Sequence, residues 1–186
     1  MSSSREQLRQ HLLEVSVRRG QFTLKSGATS SWFIDSKQTV CRPEAMLLVA
    51  EAVLERCPPS ATAIGGLTMG ADPVAFCTAA YAATKGRHLR AFSVRKEVKD
   101  HGAGGRIAGA LEAGDQVVVT EDTVTRGTSL LEAAHAIVEA GATPVLLLAL
   151  VDRGGTAAAM AAEAGFTFDA VFTAPDLGFD YEGSTR

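Results

Sequence analysis

Apolar positions recur along this chain at two periods, and the way those periods alternate predicts an architecture. Leu8, Leu12 and Val15 stand at helical spacing within residues 6–19, a stretch that Gly20 ends. Two short strand-like pieces follow, Phe22-Thr23-Leu24 and Trp32-Phe33-Ile34, around a turn at Ser26-Gly27. Pro43 opens a helix over 44–56, which stops before Pro58-Pro59. Beyond it the spacing predicts strands over 62–66, 89–94, 116–120, 145–151 and 170–173, and helices over 72–83, 128–140 and 155–163. Leu131, Ala134 and Val138 mark one face of the helix over 128–140, and Gly141 closes it. Strands alternating with helices of this length predict an α/β fold with a parallel, doubly wound sheet. Ligands in such sheets bind beyond the carboxyl ends of the strands. No repeat, low-complexity tract or interdomain linker interrupts the pattern.

Composition narrows the function classes. At 186 residues with 46% hydrophobic and 21% charged positions, the chain reads as one globular domain over 1–186. Its longest apolar run, 145–151, is far below the roughly 18–20 residues of a membrane span. The opening Met1-Ser-Ser-Ser-Arg5 lacks the apolar stretch of a secretory signal, so no membrane partner and a cytoplasmic location are expected. Cys41, Cys57 and Cys77 are odd in number and outside metal-ligand spacing; they read as reduced thiols, two of them packed as small hydrophobes. A net charge of −3 argues against nucleic acid as a partner, because phosphate contacts demand a basic surface.

The chemistry concentrates in residues 117–129, Val-Val-Val-Thr-Glu-Asp-Thr-Val-Thr-Arg-Gly-Thr-Ser. A buried strand ends in adjacent carboxylates, Glu121 and Asp122, and a Thr- and Gly-containing loop leads into a helix. Backbone N–H groups of such a loop and helix start cradle an anion, and the hydroxyls of Thr125, Thr128 and Ser129 add donors. A carboxylate pair beside a phosphate cradle suits the ribose of a 5-phosphoribosyl group, with the acids accepting from ring hydroxyls and favouring positive charge on the sugar. The plainer alternative is a capped helix start with two solvated acids. No Gly-Lys-Ser/Thr follows the glycine, so this is not a Walker A loop.

This segment resembles the phosphoribosyl-diphosphate (PRPP) binding motif of type I phosphoribosyltransferases. That resemblance implies their fold, a central, mostly parallel twisted sheet with a small hood formed by about residues 1–40 and the C-terminal segment. By the motif, Glu121 and Asp122 meet the ribose hydroxyls, the loop holds the 5-phosphate, and Thr123, Val124, Thr125, Arg126, Gly127, Thr128 and Ser129 are counted with them among the PRPP-binding residues. Arg126 departs from the small residue or Thr expected there; it points either to solvent or inward, adding charge near the phosphate.

A second segment, 94–106, gathers Arg95, Lys96, Lys99, His101 and Arg106 around glycines 102, 104 and 105. Taken alone it is a solvated charge run or a glycine-hinged flap. Arg-Lys-x-x-Lys-Asp-His-Gly resembles the catalytic loop of orotate phosphoribosyltransferases, which closes over the diphosphate of PRPP bound to the neighbouring subunit. The resemblance makes Arg95, Lys96, Lys99 and His101 diphosphate contacts. Lys96 and Lys99 would stabilise the leaving group, His101 would donate a proton, and Asp122 completes the catalytic set.

Two more segments extend the likeness. Phe22-Thr-Leu-Lys-Ser-Gly27 with Ser31-Trp-Phe-Ile-Asp35 resembles the family's N-terminal region, which assigns Lys25 to PRPP and places Phe33 and Ile34 against the orotate ring. Arg153 follows the most hydrophobic strand and by resemblance binds the orotate carboxylate, along with Thr125. Many family members carry a Tyr-Lys pair where this chain has Thr68 and Met69, so that lysine contact is absent, while Thr68 remains a candidate diphosphate contact. The expected reaction is orotate + PRPP → orotidine 5′-monophosphate + diphosphate, with Mg²⁺ held mainly by PRPP and water, in a homodimer whose loop is shared between subunits. A purine-type phosphoribosyltransferase and a PRPP-sensing, nucleic-acid-binding regulator are the alternatives.

Overall fold

A computed structural model of the chain describes residues 3–23, 29–99 and 105–182, and only the backbone of residues 98 and 99. Six strands form the central sheet in the order β5-β4-β3-β6-β7-β8. They are β3 (Ala63–Leu67), β4 (Arg90–Lys99), β5 (Gly105–Gly109), β6 (Gln116–Val124), β7 (Thr143–Asp152) and β8 (Phe168–Thr173). All neighbours are parallel except β4 and β5. Of the four inner strands, β3, β6 and β7 are the most continuously buried, because helices cover both of their faces.

Alternation along β6 sorts its side chains between two cores. Val118 joins Leu148 and Leu150 beneath α1 (Ser4–His11), α3 (Pro43–Leu54) and α4 (Ala71–Thr84). Val117 and Val119 join Leu147 and Ala149 beneath α5 (Thr128–Glu139) and α6 (Ala157–Glu163). Cys57 is buried and Cys77 half-buried against the first core, and burial pushes both thiols up to about 11; Cys41 is exposed.

The helix expected over 6–19 is shorter. It ends at His11, passes through a π-helical turn at Leu12–Ser16 and becomes strand β1 (Val17–Thr23). Beyond Val15 its stripe has only Arg19 to offer the core, whereas Val17, Arg18 and Arg19 gain pairing with Ile34, Phe33 and Trp32 of β2 (Thr29–Ile34). A short helix, α2 (Lys37–Val40), follows β2. The charged segment after Val94 also differs from a loop: β4 continues to Lys99 and returns antiparallel as β5, with Val94 opposite Ile107. Half-buried Ile107 packs on the second core, which anchors the returning arm. Arg106 binds the Arg95 carbonyl at 2.9 Å and the Glu132 carboxylate of α5.

Two glycines let β3 lie between its neighbours. A methyl group on Gly66 would collide with the Thr120 carbonyl oxygen and stand 2.8 Å from the Ala71 Cβ. Because backbone on one side and a helix start on the other cannot retreat independently, Gly66→Ala is expected to cost about 2–3 kcal/mol of stability. In a chain of this size that corresponds to a Tm lower by roughly 4–12 °C, readable by thermal unfolding. A Tm within a degree of wild type would show that β3 shifts freely.

Candidate active site

The site is assembled where β3, β6 and β7 end. Strand β6 does not stop at Thr120; pairing with β7 carries it through Glu121, opposite Ala149, to Val124, opposite Asp152. Both acids are therefore held by a rigid strand, and Glu121 and Asp122 are 7% and 3% exposed. Asp122 Oδ2 accepts from Ser36 Oγ at 2.6 Å and Lys37 Nζ at 2.7 Å, while Oδ1 accepts from the Thr123 N–H at 2.8 Å. Burial works to lower the Lys37 pKa, but the hydrogen bond and charge of Asp122 outweigh it and hold the ammonium above its ordinary value. Burial, together with the neighbouring Asp122 charge, pushes Glu121 up to about 9. At neutral pH the pair thus divides its labour: Glu121 is a neutral acid able to donate, and Asp122 is an ion-paired acceptor.

Gly70 completes this corner, since a methyl group there would overlap Glu121 Oε1 and come 2.7 Å from Asp122 Oδ1. Neighbouring Thr68 donates to Asp72 Oδ2 at 2.6 Å, which turns its hydroxyl toward α4. The Thr68–Met69 peptide is cis, and Met69 is exposed.

The loop after β6 spans only Thr125, Arg126 and Gly127. Gly127 adopts a left-handed φ of 89° at the start of α5, where a methyl group would press within 3.2 Å of the Ala157 Cβ. The Thr125 carbonyl accepts from Thr156 Oγ1 at 3.0 Å and fits against Gly154, where any side chain would strike it. Thr123, Thr125 and Ser129 are half-buried, Thr128 and Arg126 exposed; Arg126 points to solvent. The side chain of Val124, expected among the PRPP-binding residues, is 4% exposed within the second core, because strand alternation turns it away from Thr123.

Arg153 lies at the end of β7 and is 9% exposed. Its guanidinium carbon is 5.6 Å from the ring centres of both Trp32 and Phe33. Phe33 is open to solvent, but Ile34, expected beside it, is not: the period of two in β2 sends Ile34 into the first core at 3% exposure. Arg153 Nη2 forms an ion pair with the Glu182 carboxylate. In the β4–β5 hairpin, Arg95 reaches back to the carbonyls of Gly105 and Ile107, at 3.4 and 3.5 Å, and Lys96 is exposed. Lys25, His101 and the side chain of Lys99 lie outside the described residues.

Ser36, Lys37 and Glu182 were not singled out by the sequence. Lys37 carried only a weak signal, a lysine three residues beyond the end of β2. Glu182 carried none, since its partner is 29 positions away.

No protein-family model matches the chain. Among curated proteins, it is 39% identical over 182 residues to an orotate phosphoribosyltransferase of Streptomyces avermitilis, covering 97% of this chain and 100% of that one. It is 36% identical over 183 residues to the one of Nostoc sp., covering 98% and 89%. Among solved structures, the orotate phosphoribosyltransferase of Mycobacterium tuberculosis in complex with PRPP superposes with a TM-score of 0.79 at 32% identity, over 95% of this chain and all of that one. A strand-borne Glu-Asp pair, a glycine-turned loop entering α5 and likeness along almost the entire length agree: the chain belongs to the orotate phosphoribosyltransferase family.

Proposed function

We propose that this chain transfers the 5-phosphoribosyl group of PRPP to orotate, giving orotidine 5′-monophosphate and diphosphate. The observation that carries the reading is the division of charge between Glu121 and Asp122 beside the Thr125–Gly127 turn. That turn and the start of α5 offer N–H groups and hydroxyls to the 5-phosphate. Asp122 accepts from ribose hydroxyls, and its negative charge favours the cationic sugar that develops as the C1–O bond to diphosphate breaks and orotate nitrogen bonds to C1. Arg153, with Phe33 beside it, is suited to the planar acid of orotate. Lys25, Arg95, Lys96, Lys99 and His101 would serve PRPP and its departing diphosphate, with His101 as proton donor.

Mg²⁺ would be held mainly by oxygens of PRPP and by water, the hard ligands it prefers, with Asp122 the charged carboxylate of this corner. When bound, the ion neutralises charge on the diphosphate. Residues 1–186 act as one domain in this reading, and two copies form a dimer in which the β4–β5 hairpin serves the neighbouring site. Leu47 of α3 and Phe76 of α4, large apolar side chains left exposed, are compatible with a covered face. Among the described residues no helix is long and apolar enough to cross a membrane, and a cytoplasmic setting fits the reaction.

An absorbance assay of orotate loss with PRPP and Mg²⁺, run beside adenine, hypoxanthine and uracil, tests the reaction. Turnover of orotate alone is expected, and turnover of a purine with orotate inert would overturn it. Within that assay, Arg153→Ala is expected to raise the KM for orotate about ten-fold or more, the equivalent of one charge-assisted hydrogen bond. The KM for PRPP should stay nearly constant, and Arg153→Lys, which keeps a charge for Glu182, should show a smaller loss of the same kind. Equal effects on both substrates would mark a structural arginine.

Sharing of the hairpin is checked by mixing two inactive variants, Lys99→Ala and Asp122→Ala. Hybrid dimers would regain one intact site, so activity should recover to about one quarter of wild type after random exchange. Exchange confirmed by co-purification of differently tagged chains, with no recovered activity, would place the hairpin in its own subunit's site.

A further inference from the structure

The guanidinium assigned to the orotate carboxylate already holds a carboxylate. Arg153 Nη2 is paired with Glu182 Oε1, and the two side chains are only 10% and 2% exposed. The same oxygen lies 3.1 Å from the Ser30 hydroxyl. Glu182 N–H donates to the Arg153 carbonyl at 2.7 Å, so backbone as well as side chain binds the segment to its target.

The residues leading to Glu182 are seated in a fitted track. The Phe179 ring stacks on Trp32 at 4.5 Å and 12°. The Asp180 carbonyl accepts from Trp32 Nε1 at 3.3 Å. Tyr181 lies over Gly155, where a Cβ would be 2.9 Å from the ring. Residues 178–182 thus form a strap across the end of β7, and Glu182 occupies the place at Arg153 Nη2 that a ligand's carboxylate would take.

The pairing is nevertheless incomplete. Arg153 Nε is buried and has no hydrogen-bond partner among the described residues. Glu182 engages one edge of a group that can serve a planar acid through two parallel bonds. A free carboxylate meeting Nε and Nη2 through two parallel bonds would satisfy the nitrogen that Glu182 leaves without a partner.

Resting on the reading of Arg153 as the ligand of the base's acid group, we propose that Glu182 sets the affinity of the base site. It stands in for the substrate carboxylate, and orotate binds by exchanging one carboxylate for another as the strap lifts. The apparent affinity for orotate is then its intrinsic affinity reduced by the fraction of molecules in which the strap is open. A strap closed nine-tenths of the time weakens orotate binding about ten-fold and leaves PRPP, held by β6 and its loop, untouched.

Steady-state kinetics of the full-length chain, with amide hydrogen exchange followed by mass spectrometry, test this. Glu182→Gln keeps the shape but weakens the hold on Arg153. It should lower the KM for orotate about three-fold or more, with the KM for PRPP and kcat changed less than about two-fold. Glu182→Asp, shorter by one methylene, should fall between it and wild type. In the wild-type protein, orotate should speed exchange at residues 178–182, the reverse of the protection that a bound ligand ordinarily gives its contacts. An unchanged or raised KM for orotate in Glu182→Gln would overturn the proposal, because Glu182 would then orient Arg153 or merely pack. Slower exchange of the strap with orotate would overturn it too. The Arg153 variants separate the two claims. If they leave the KM for orotate unchanged, the reading of Arg153 fails; if they raise it while Glu182→Gln does not lower it, only the exchange is lost.

Discussion

Two carboxyl groups that adjoin on a buried strand cannot both remain charged without a cation, and the site of this protein is arranged around that constraint. Glu121 and Asp122 sit almost wholly out of water on β6. The solution is to give one of them a partner and the other a proton: Lys37 and Ser36 converge on Asp122, and Glu121 is pushed up to about 9. The consequence runs outward. Delivering Lys37 requires β2 to end beside β6, which in turn requires the β1–β2 pair and the packing of Trp32 and Ile34 on the first core. The hairpin at the beginning of the chain is therefore a support for a charge in the middle of it.

The same economy of space governs the backbone. Gly70 meets the acids, Gly127 turns into α5, and Gly154 lies under the Thr125 carbonyl. At each, a side chain would occupy room that a close approach needs, so three separate strand ends are drawn into one small region. Their position follows the general rule for open parallel sheets, whose ligand sites gather at the carboxyl ends of the strands.

Much of this was legible in the sequence. Long apolar strands and helices fell within a few residues of their observed bounds because burial on both faces leaves strands as continuous apolar runs and one-sided burial gives helices a periodic stripe. The acid pair and the loop were legible because chemistry and chain order coincide there. Contacts between distant positions were not. Lys37 meets Asp122 across 85 residues, and Glu182 reaches Ser30 across 152, so neither leaves a local pattern. The first helix was overextended because Val15 continued a stripe that β1 interrupts two residues later. Strand β5 was missed because its Gly and Arg content reads as a loop, and its identity depends on pairing with β4. Ile34 and Val124 were placed in the site by family likeness, and the alternation of their strands turns both into the cores.

Trp32 joins these threads in another way. It is the chain's single tryptophan, 2% exposed, stacked on Phe179 and near the Arg153 guanidinium. Indole emission is sensitive to solvent and to neighbouring charge, and here every photon of it originates where the β1–β2 pair, the C-terminal strap and the end of β7 meet. The protein thus carries a native optical probe beside Arg153 that requires no label.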